Sequence, residues 1–139
     1  MTTMLSKHLS METMCKSEKA VKYNISNIPP DDIIENLKAL ALNIYEPVYS
    51  KYGDLVVVTS GYRSPELNKK VGGSARSQHM LGEAIDFEII GVSNYDFAEW
   101  IKSNLTFDQL ILEKHITVDP NSGWVHCSYT RGNNRRLVL

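Results

Sequence analysis

Glycines and polar residues interrupt every hydrophobic pattern in residues 60–86, which read SGYRSPELNKKVGGSARSQHMLGEAID. A segment that builds a core repeats its apolar residues about every 2 or 3.6 positions, and this segment does neither. It carries instead His79 and Asp86, seven positions apart, among glycines that bend the backbone. We therefore interpret residues 60–86 as a segment that shapes a binding site rather than as a core element.

The residues on either side of this segment predict short strands. After Gly53 the run LVVVT is short and β-branched, which favours a buried strand. The run AIDFEII alternates, with apolar side chains at every second position from Ile85 to Ile89 and the carboxylates Asp86 and Glu88 on the opposite face. Two further strands are predicted at Gln109–Glu113 and at residues 124–129. A loop rich in turn-forming residues, DPNSG at residues 119–123, lies between them.

Helical spacing predicts the remaining elements. Residues 1–30 form a polar lead-in, with one short helix near residues 10–20 and an end at the pair Pro29-Pro30. Asp31 or Asp32 can cap a following helix. Its apolar positions are Ile33, Ile34, Leu37, Leu40, Ala41, Ile44 and Tyr45. Pro47 is expected to kink or end that helix, and residues 96–104 predict another.

These elements together predict an α+β fold with a small antiparallel sheet and flanking helices. The chain has 139 residues, and we expect residues 1–139 to form a single domain that buries one core. The formal net charge of −1 gives no electrostatic reason to expect nucleic acid as a partner. The short basic run RGNNRR, residues 131–136, is interpreted as a solvated tail in preference to a binding patch.

Cysteine usage and hydropathy narrow the class of protein further. Cys15 and Cys127 form no CxxC pair, so no cysteine-based zinc site and no disulfide framework is expected. The first residues, MTTMLSKHLSMETMCK, lack the apolar stretch of a signal peptide. No apolar run approaches the roughly 20 residues that span a bilayer. We expect a protein that is made in the cytoplasm and has no membrane partner.

The run WVHCSY extends the candidate site. A period of two puts Trp124, His126 and Ser128 on one side of the strand. If this side faces the same cleft as Asp86, then His79, Asp86 and His126 offer two imidazoles and one carboxylate. Three such ligands, with a fourth position left to water, describe a catalytic zinc site.

Each of these residues also has a plainer interpretation. A lone strand histidine such as His126 is more often a polar residue with satisfied hydrogen bonds than a ligand, and Asp86 alone could cap a turn. The chain carries no HExxH spacing in support of a metal site. On residue types and spacing alone, the zinc site therefore stays one alternative among these.

Four motifs, taken in order, resemble the signature of a known family: SGYRSPELN, VGG, SQHMLGEAID and WVHCSY. The chain is similar to the D-Ala-D-Ala carboxypeptidase-like zinc peptidases, which include phage and bacterial enzymes that cut peptidoglycan stem peptides. The lead-in HLSMETMCKSEKA and the stretch NIPPDDIIENLKALALNIYEPV resemble the N-terminal half of small single-domain members. The resemblance covers nearly the whole chain and implies a hedgehog-like metallopeptidase fold.

The resemblance also implies roles for particular residues. The positions that match the family's zinc ligands are His79 and Asp86 of the S-x-H-x-x-G-x-A-x-D pattern and His126 of the W-x-H pattern. Arg63 of SGYRS matches an arginine that lies near the scissile peptide in relatives. A planar guanidinium suits an oxyanion or a substrate carboxylate; the alternative for Arg63 is a surface arginine on a loop.

The general base is where this sequence departs from better-known members. Many of them place a glutamate in an E-x-x-W-H pattern, whereas here residues 121–123 read NSG. Glu113 resembles the glutamate of small relatives in which D-Q-L-I-x-E leads through a short turn into W-V-H. A hairpin would bring Glu113 beside Trp124 and His126. Asp119 and His115, both in the loop, are the alternatives.

The expected function is a zinc metallopeptidase that hydrolyses an amide bond in peptidoglycan stem or cross-link peptides. Either a D,D-carboxypeptidase or an endopeptidase of the endolysin type would fit the resemblance. We expect a monomer that acts on the cell wall after release or delivery from the cytoplasm. The first alternative is a non-catalytic, zinc-bearing wall-binding or structural protein of the same fold, since the hedgehog signalling domain also bears zinc. The second is a zinc-free nucleic-acid accessory protein that uses RGNNRR.

Overall fold

The computed structural model describes residues 3–139 of the chain. Its helices are α1 (Met11–Cys15), α2 (Glu18–Lys22), α3 (Asp31–Leu40), α4 (Glu46–Tyr52), α5 (Pro65–Lys70) and α6 (Asn94–Asn104). Its strands are β1 (Val56–Ser60), β2 (Ala84–Ile89), β3 (Gln109–Glu113), β4 (Trp124–Ser128) and β5 (Leu137–Val138). A π-helical turn, Ala41–Tyr45, joins α3 to α4, and short 3-10 turns lie at Gly53–Leu55 and Gln78–Leu81.

The described strands form a five-stranded sheet in the order β1-β2-β4-β3-β5. Strands β1, β2, β4 and β3 pair antiparallel, whereas β5 pairs in parallel with β3. The predicted α+β class is confirmed, and the sheet differs from the predicted antiparallel one in this last pair. The parallel pair arises because β4 ends beside the start of β3. The chain that leads from the end of β4 to β5 crosses the start of β3, so β5 begins at that end and runs in the same direction as β3.

The core lies on one face of the sheet, beneath the helices. Ile85, Phe87 and Ile89 of β2 are buried on this face, and so are Val125 and Cys127 of β4. The alternation predicted for both strands is therefore confirmed. The opposite face of the same strands carries the polar residues of the candidate site.

Strand β1 is an edge strand and not the buried strand that its β-branched run predicts. Its side chains alternate, because Val56 and Val58 pack against the core while Val57 is 41% exposed. Composition alone does not separate a central strand from an edge strand, since both favour β-branched residues.

The helix that begins at Asp31 does not end at Pro47, which was one of the two predicted effects of the proline, but continues through the π-helical turn into α4. The π-helical turn precedes the proline, and in it the Glu46 N–H donates to the carbonyl of Ala41. Pro47 follows directly on this turn, and a π-helical turn is a local change of hydrogen bonding of the kind found where a helix contains a proline. The helix ends at Gly53, whose φ of 61° an ordinary residue rarely adopts.

The lead-in contains two short helices where one was predicted. Ser10 caps α1 through a hydrogen bond from the Thr13 N–H, and Ser17 caps α2 through a hydrogen bond from the Ala20 N–H. The lead-in packs into the core through Met14, which is fully buried and whose carbonyl accepts a 2.7 Å hydrogen bond from the N–H of Tyr62, two residues after β1.

Two further observations concern the rest of the chain. Helix α6 begins two residues earlier than predicted, because Ser93 caps it through the Asp96 N–H. The run RGNNRR is not a free solvated tail, since Arg131, Arg135 and Arg136 all donate hydrogen bonds to the body of the protein. Within residues 3–139, no helix is long and apolar enough to cross a membrane.

Candidate metal centre

His79 is fixed by a short local structure. It lies in the 3-10 turn Gln78–Leu81, where the Ser77 hydroxyl accepts a 3.2 Å hydrogen bond from the His79 N–H. The turn ends at Gly82, which has a φ of 69°, and a Cβ there would approach the Ile33 carbonyl to 2.8 Å. A glycine is therefore required at this position, as the sequence pattern predicts.

The ring of His79 is oriented by the backbone. Its Nδ1 lies 2.7 Å from the carbonyl oxygen of Gly61. A carbonyl can only accept, so Nδ1 carries the proton and the lone pair of the neutral ring is on Nε2. Nε2 lies 3.3 Å from Oδ2 of Asp86, so the free nitrogen points at the carboxylate.

Strand register brings Asp86 and His126 together. They are directly paired across β2 and β4, and Nδ1 of His126 lies 2.9 Å from Oδ1 of Asp86. The two histidine rings are 5.1 Å apart between centroids, and His79, Asp86 and His126 are exposed by 3%, 8% and 8%. The cluster predicted from spacing and from the family resemblance is thus assembled as one buried group.

The donor set of this group fits zinc. One ligand atom from each of the three side chains lies within 4.8 Å of the others. A tetrahedral zinc ion with ligands at about 2.0–2.2 Å needs donor atoms about 3.4 Å apart. The 3.3 Å between Nε2 of His79 and Oδ2 of Asp86 is close to that value, whereas Nδ1 of His126 lies nearer, 2.9 Å from the other oxygen, Oδ1. Two imidazole nitrogens and one carboxylate are also the ligand types of catalytic zinc sites.

The environment keeps the Asp86 carboxylate ionised. Burial raises its pKa, but the interactions of the carboxylate with the rings of His126 and His79 outweigh burial and lower the pKa to about 2. The carboxylate is therefore negatively charged at neutral pH and able to act as a metal ligand without first losing a proton.

The group lies in a cleft of about 940 Å³. Arg63 lines the cleft, and its backbone N–H donates to the His79 carbonyl while Nη2 donates to the Ser77 hydroxyl at 3.2 Å. Burial lowers the pKa of Arg63 and the charge of Asp86 opposes that shift, so the guanidinium stays charged. Its Nε is buried and has no hydrogen-bond partner in the described chain. Arg63 is thus a cation beside the group, and its Nε donor is not used within the described chain.

Glu113 also lines the cleft, at the end of β3. It pairs with Trp124 across the sheet, and Ile111, two residues earlier on the same face, pairs with His126. The chain turns directly after it, with Lys114 at a φ of 52° and Gly123 at 71°. A Cβ on Gly123 would collide with the carbonyl oxygen of Glu113, so glycine permits the close approach that ends this hairpin.

The two rival bases point elsewhere. His115 stacks on Tyr95, with ring centroids 6.4 Å apart, and its Nδ1 lies 3.2 Å from the Ser122 hydroxyl. Asp119 is exposed and accepts a hydrogen bond from the Asn121 N–H. Neither His115 nor Asp119 is among the described residues that line the cleft. Glu113 is therefore the carboxylate that the hairpin brings to the cleft beside the three clustered side chains.

Sequence reasoning missed the residue that holds this hairpin in place. Asn94 is 3% exposed, and its Nδ2 donates to the carbonyls of Asn121 and Gly123 at 3.0 and 2.9 Å and to Glu88 at 3.1 Å. Asparagine at the start of a helix is common for local reasons, so nothing in the sequence marks Asn94 as a long-range contact.

Comparison with known proteins agrees with the geometry. Residues 7–128 match the model of the family described as Peptidase M15. A search of curated proteins gives no match. The match spans all three residues of the buried group as well as Arg63 and Glu113. The chain therefore belongs to the Peptidase M15 family, the zinc-dependent D-Ala-D-Ala carboxypeptidase-like peptidases that its motifs resemble.

Proposed function

We propose that the protein is a zinc metallopeptidase that hydrolyses an amide bond in peptidoglycan stem or cross-link peptides, with His79, Asp86 and His126 as the metal ligands. The observation that carries this proposal is the convergence of these three buried side chains in a cleft that Glu113 and Arg63 also line. Family membership supports the peptidase activity, and the ligand chemistry supports zinc.

Each residue has a distinct part in the proposed reaction. When bound, zinc supplies Lewis-acid chemistry that makes water a stronger nucleophile at neutral pH and polarises a carbonyl. Glu113 accepts the proton of the attacking water and passes it to the leaving amine. Arg63 stabilises the negative charge that develops on the carbonyl oxygen. His79 is held in one tautomer by Gly61, so its Nε2 stays available to the metal.

The bond that is cut defines the subclass. A D,D-carboxypeptidase removes a terminal D-alanine, whereas an endopeptidase of the endolysin type cuts within the stem or the cross-link. Mass spectrometry of purified muropeptides after digestion separates the two, because each cut gives a different pair of products. An unchanged muropeptide profile with fully zinc-loaded protein would contradict both.

A second candidate function is a non-catalytic, zinc-bearing protein of the same fold that binds the cell wall. The observation that favours it is the NSG sequence where better-known members carry the glutamate of E-x-x-W-H. Pull-down with purified peptidoglycan, together with an assay for released amines, distinguishes the candidates. Binding with full zinc content and no amine release would favour the non-catalytic protein.

The setting of the activity is also a proposal. We propose that the protein acts as a monomer, without nucleic acid, and that it reaches the wall after release or delivery from the cytoplasm. Sedimentation of the purified protein measures whether it is a monomer. Fractionation of a producing culture before and after lysis measures when the protein leaves the cells, and we expect it in the medium only after lysis.

A further inference from the structure

The arginines of residues 131–136 differ in where their guanidinium groups lie. Arg131 donates from Nε to the Asn36 side chain, and Arg136 donates to the carbonyls of Leu105 and Lys102. Arg135 instead lines the cleft of the candidate metal centre. The basic run therefore delivers one of its three arginines to the cleft, and the other two hold the C-terminal segment in place.

Asp108 holds the Arg135 side chain in a fixed orientation. Nε and Nη2 of Arg135 donate to the two carboxylate oxygens of Asp108 at 2.9 and 2.8 Å, a two-point contact that sets the plane of the guanidinium. The Asp108 carboxylate also accepts hydrogen bonds from the Arg135 N–H and from Nε2 of Gln78, the neighbour of His79. Its side chain is only 4% exposed, whereas that of Arg135 is 49% exposed.

This arrangement leaves donors of Arg135 directed away from Asp108. A guanidinium has five N–H groups, and the contact with Asp108 uses one on Nε and one on Nη2. Within residues 3–139, the N–H groups on Nη1 have no hydrogen-bond partner. A cation that is already oriented loses little conformational entropy when it binds an anion, which makes it a better recognition group than a mobile lysine.

The charge of the cleft points to the sign of the ligand. Four cationic side chains line it, namely Arg63, Arg76, Lys114 and Arg135. The acidic residues in the lining are Asp86 and Glu113, and Asp86 is a proposed metal ligand. The remaining surface of the cleft is therefore positively charged, and it complements a peptide that carries free carboxylates.

We propose that Arg135 recognises a free carboxylate of the peptide substrate, at a point away from the scissile bond. The inference rests on the proposed function for the identity of the peptide, since stem peptides carry such carboxylates. Arg135 would bind the carboxylate through the donors that Asp108 leaves free, and Asp108 would act as a positioning residue. Substrates whose carboxylate is amidated would then bind more weakly.

The test compares a stem pentapeptide with free carboxylates against the same peptide with each carboxylate converted in turn to a primary amide. For the parent enzyme, we expect one of the amidations to raise KM on the order of tenfold and to change kcat little. A factor of that size corresponds to the loss of one partly exposed charge-assisted hydrogen bond. Arg135→Gln should raise KM by the same factor for the peptide with free carboxylates. For that amidated peptide, the KM of Arg135→Gln should stay within about twofold of the parent value. Arg131→Gln is the matched control, because it removes one charge from the same segment outside the cleft, and it should behave as the parent.

Two further variants separate the loss of carboxylate recognition from damage to the fold. Arg135→Gln leaves the buried Asp108 with fewer partners, so Asp108→Asn/Arg135→Gln, which removes both charges, is tested beside it. Arg135→Lys keeps the charge but loses the planar fork, and it should show an intermediate preference. Zinc content and circular dichroism of each variant check the fold.

Binding separates this inference from the proposed function. Calorimetry with zinc-loaded Glu113→Gln protein measures the affinity for the free and amidated peptides without turnover. If the parent cleaves no peptide but Arg135→Gln still abolishes the preference for the free carboxylate, the inference holds and the proposed function fails. If the parent cleaves free and amidated peptides equally, or if Arg131→Gln lowers affinity as much as Arg135→Gln, the inference is wrong while the peptidase stands.

Discussion

The two sides of the cleft are built in different ways. The metal group is formed by paired central strands and a capped turn, and its three side chains are almost fully buried. Glu113 lies at the end of a strand, beside a loop whose residues are largely exposed and whose position depends on Asn94. A metal group fixed by strand register tolerates changes in the loop, whereas the position of the base depends on contacts that the loop makes. Ligand binding and proton transfer should therefore respond separately to mutation.

The largest expected effect is the loss of metal from the strand side. His126→Ala leaves two protein ligands, so zinc content after dialysis should fall from one ion per chain to near zero, and activity should fall with it. His115→Gln is the matched control, because His115 is a histidine of the loop that contacts Ser122 and Tyr95. It should keep full zinc. Elemental analysis that finds full zinc in His126→Ala would refute this ligand set.

The next largest effect should come from the loop side and leave the metal in place. Glu113→Gln keeps the size of the side chain but removes the group that accepts a proton. Turnover should fall by roughly two to four orders of magnitude, the usual contribution of general acid–base catalysis, with zinc content unchanged.

Asp119→Asn and His115→Gln control for the choice of base. Both residues lie outside the lining of the cleft within the described chain, so each variant should keep most of the activity. A parent-like Glu113→Gln with an inactive Asp119→Asn would mean that the hairpin presents a different carboxylate in solution.

A smaller effect is expected when the loop is loosened without touching the cleft. Asn94→Ala removes a buried side chain whose Nδ2 is the donor shared by the carbonyls of Asn121 and Gly123. The free energy of unfolding should fall by about 1–3 kcal/mol. Activity should fall, on the order of tenfold, because a small displacement of Glu113 is costly. Zinc content should not change.

Asn104→Ala is the control for the loss of an asparagine. The Nδ2 of Asn104 donates to the Trp100 carbonyl at the exposed end of α6. Both stability and turnover should stay close to those of the parent. If Asn94→Ala lost zinc as readily as it lost activity, the two sides of the cleft would not be independent.

The smallest effect concerns the C-terminal flank in acid. Hydrogen bonds from Arg135 lower the pKa of Asp108 to about 2 against the opposing effect of burial. The folded pKa is below the unfolded value of about 3.9, so the ion pair stabilises the fold above pH of about 4, and this contribution is lost as the pH falls toward about 2. Urea unfolding of metal-free parent and Asp108→Asn protein should show a stability difference that shrinks across this window. A difference that stays constant would mean that the carboxylate is not held by Arg135.

Local periodicity predicted the parts of the fold that depend on single elements. The alternation of AIDFEII and WVHCSY predicted which face of its own strand Asp86 and His126 each occupy, because a strand has a fixed period of two. That the two faces coincide follows from the pairing of β2 with β4, which the structure shows. The edge position of β1, the π-helical turn before Pro47 and the parallel β5 were not predicted, since each depends on what the element packs against. Asn94 and the contact of Arg135 with Asp108 join residues about 27 positions apart, and no local pattern encodes such pairs.

Digestion of purified peptidoglycan by the zinc-loaded protein tests the account most directly, with products read by mass spectrometry. The parent should give muropeptide fragments that differ from the substrate by hydrolysis of one amide bond, and Glu113→Gln protein with the same zinc content should give almost none. An intact muropeptide profile for the parent, with zinc bound through His79, Asp86 and His126, would contradict the assignment of a peptidase and favour a wall-binding protein.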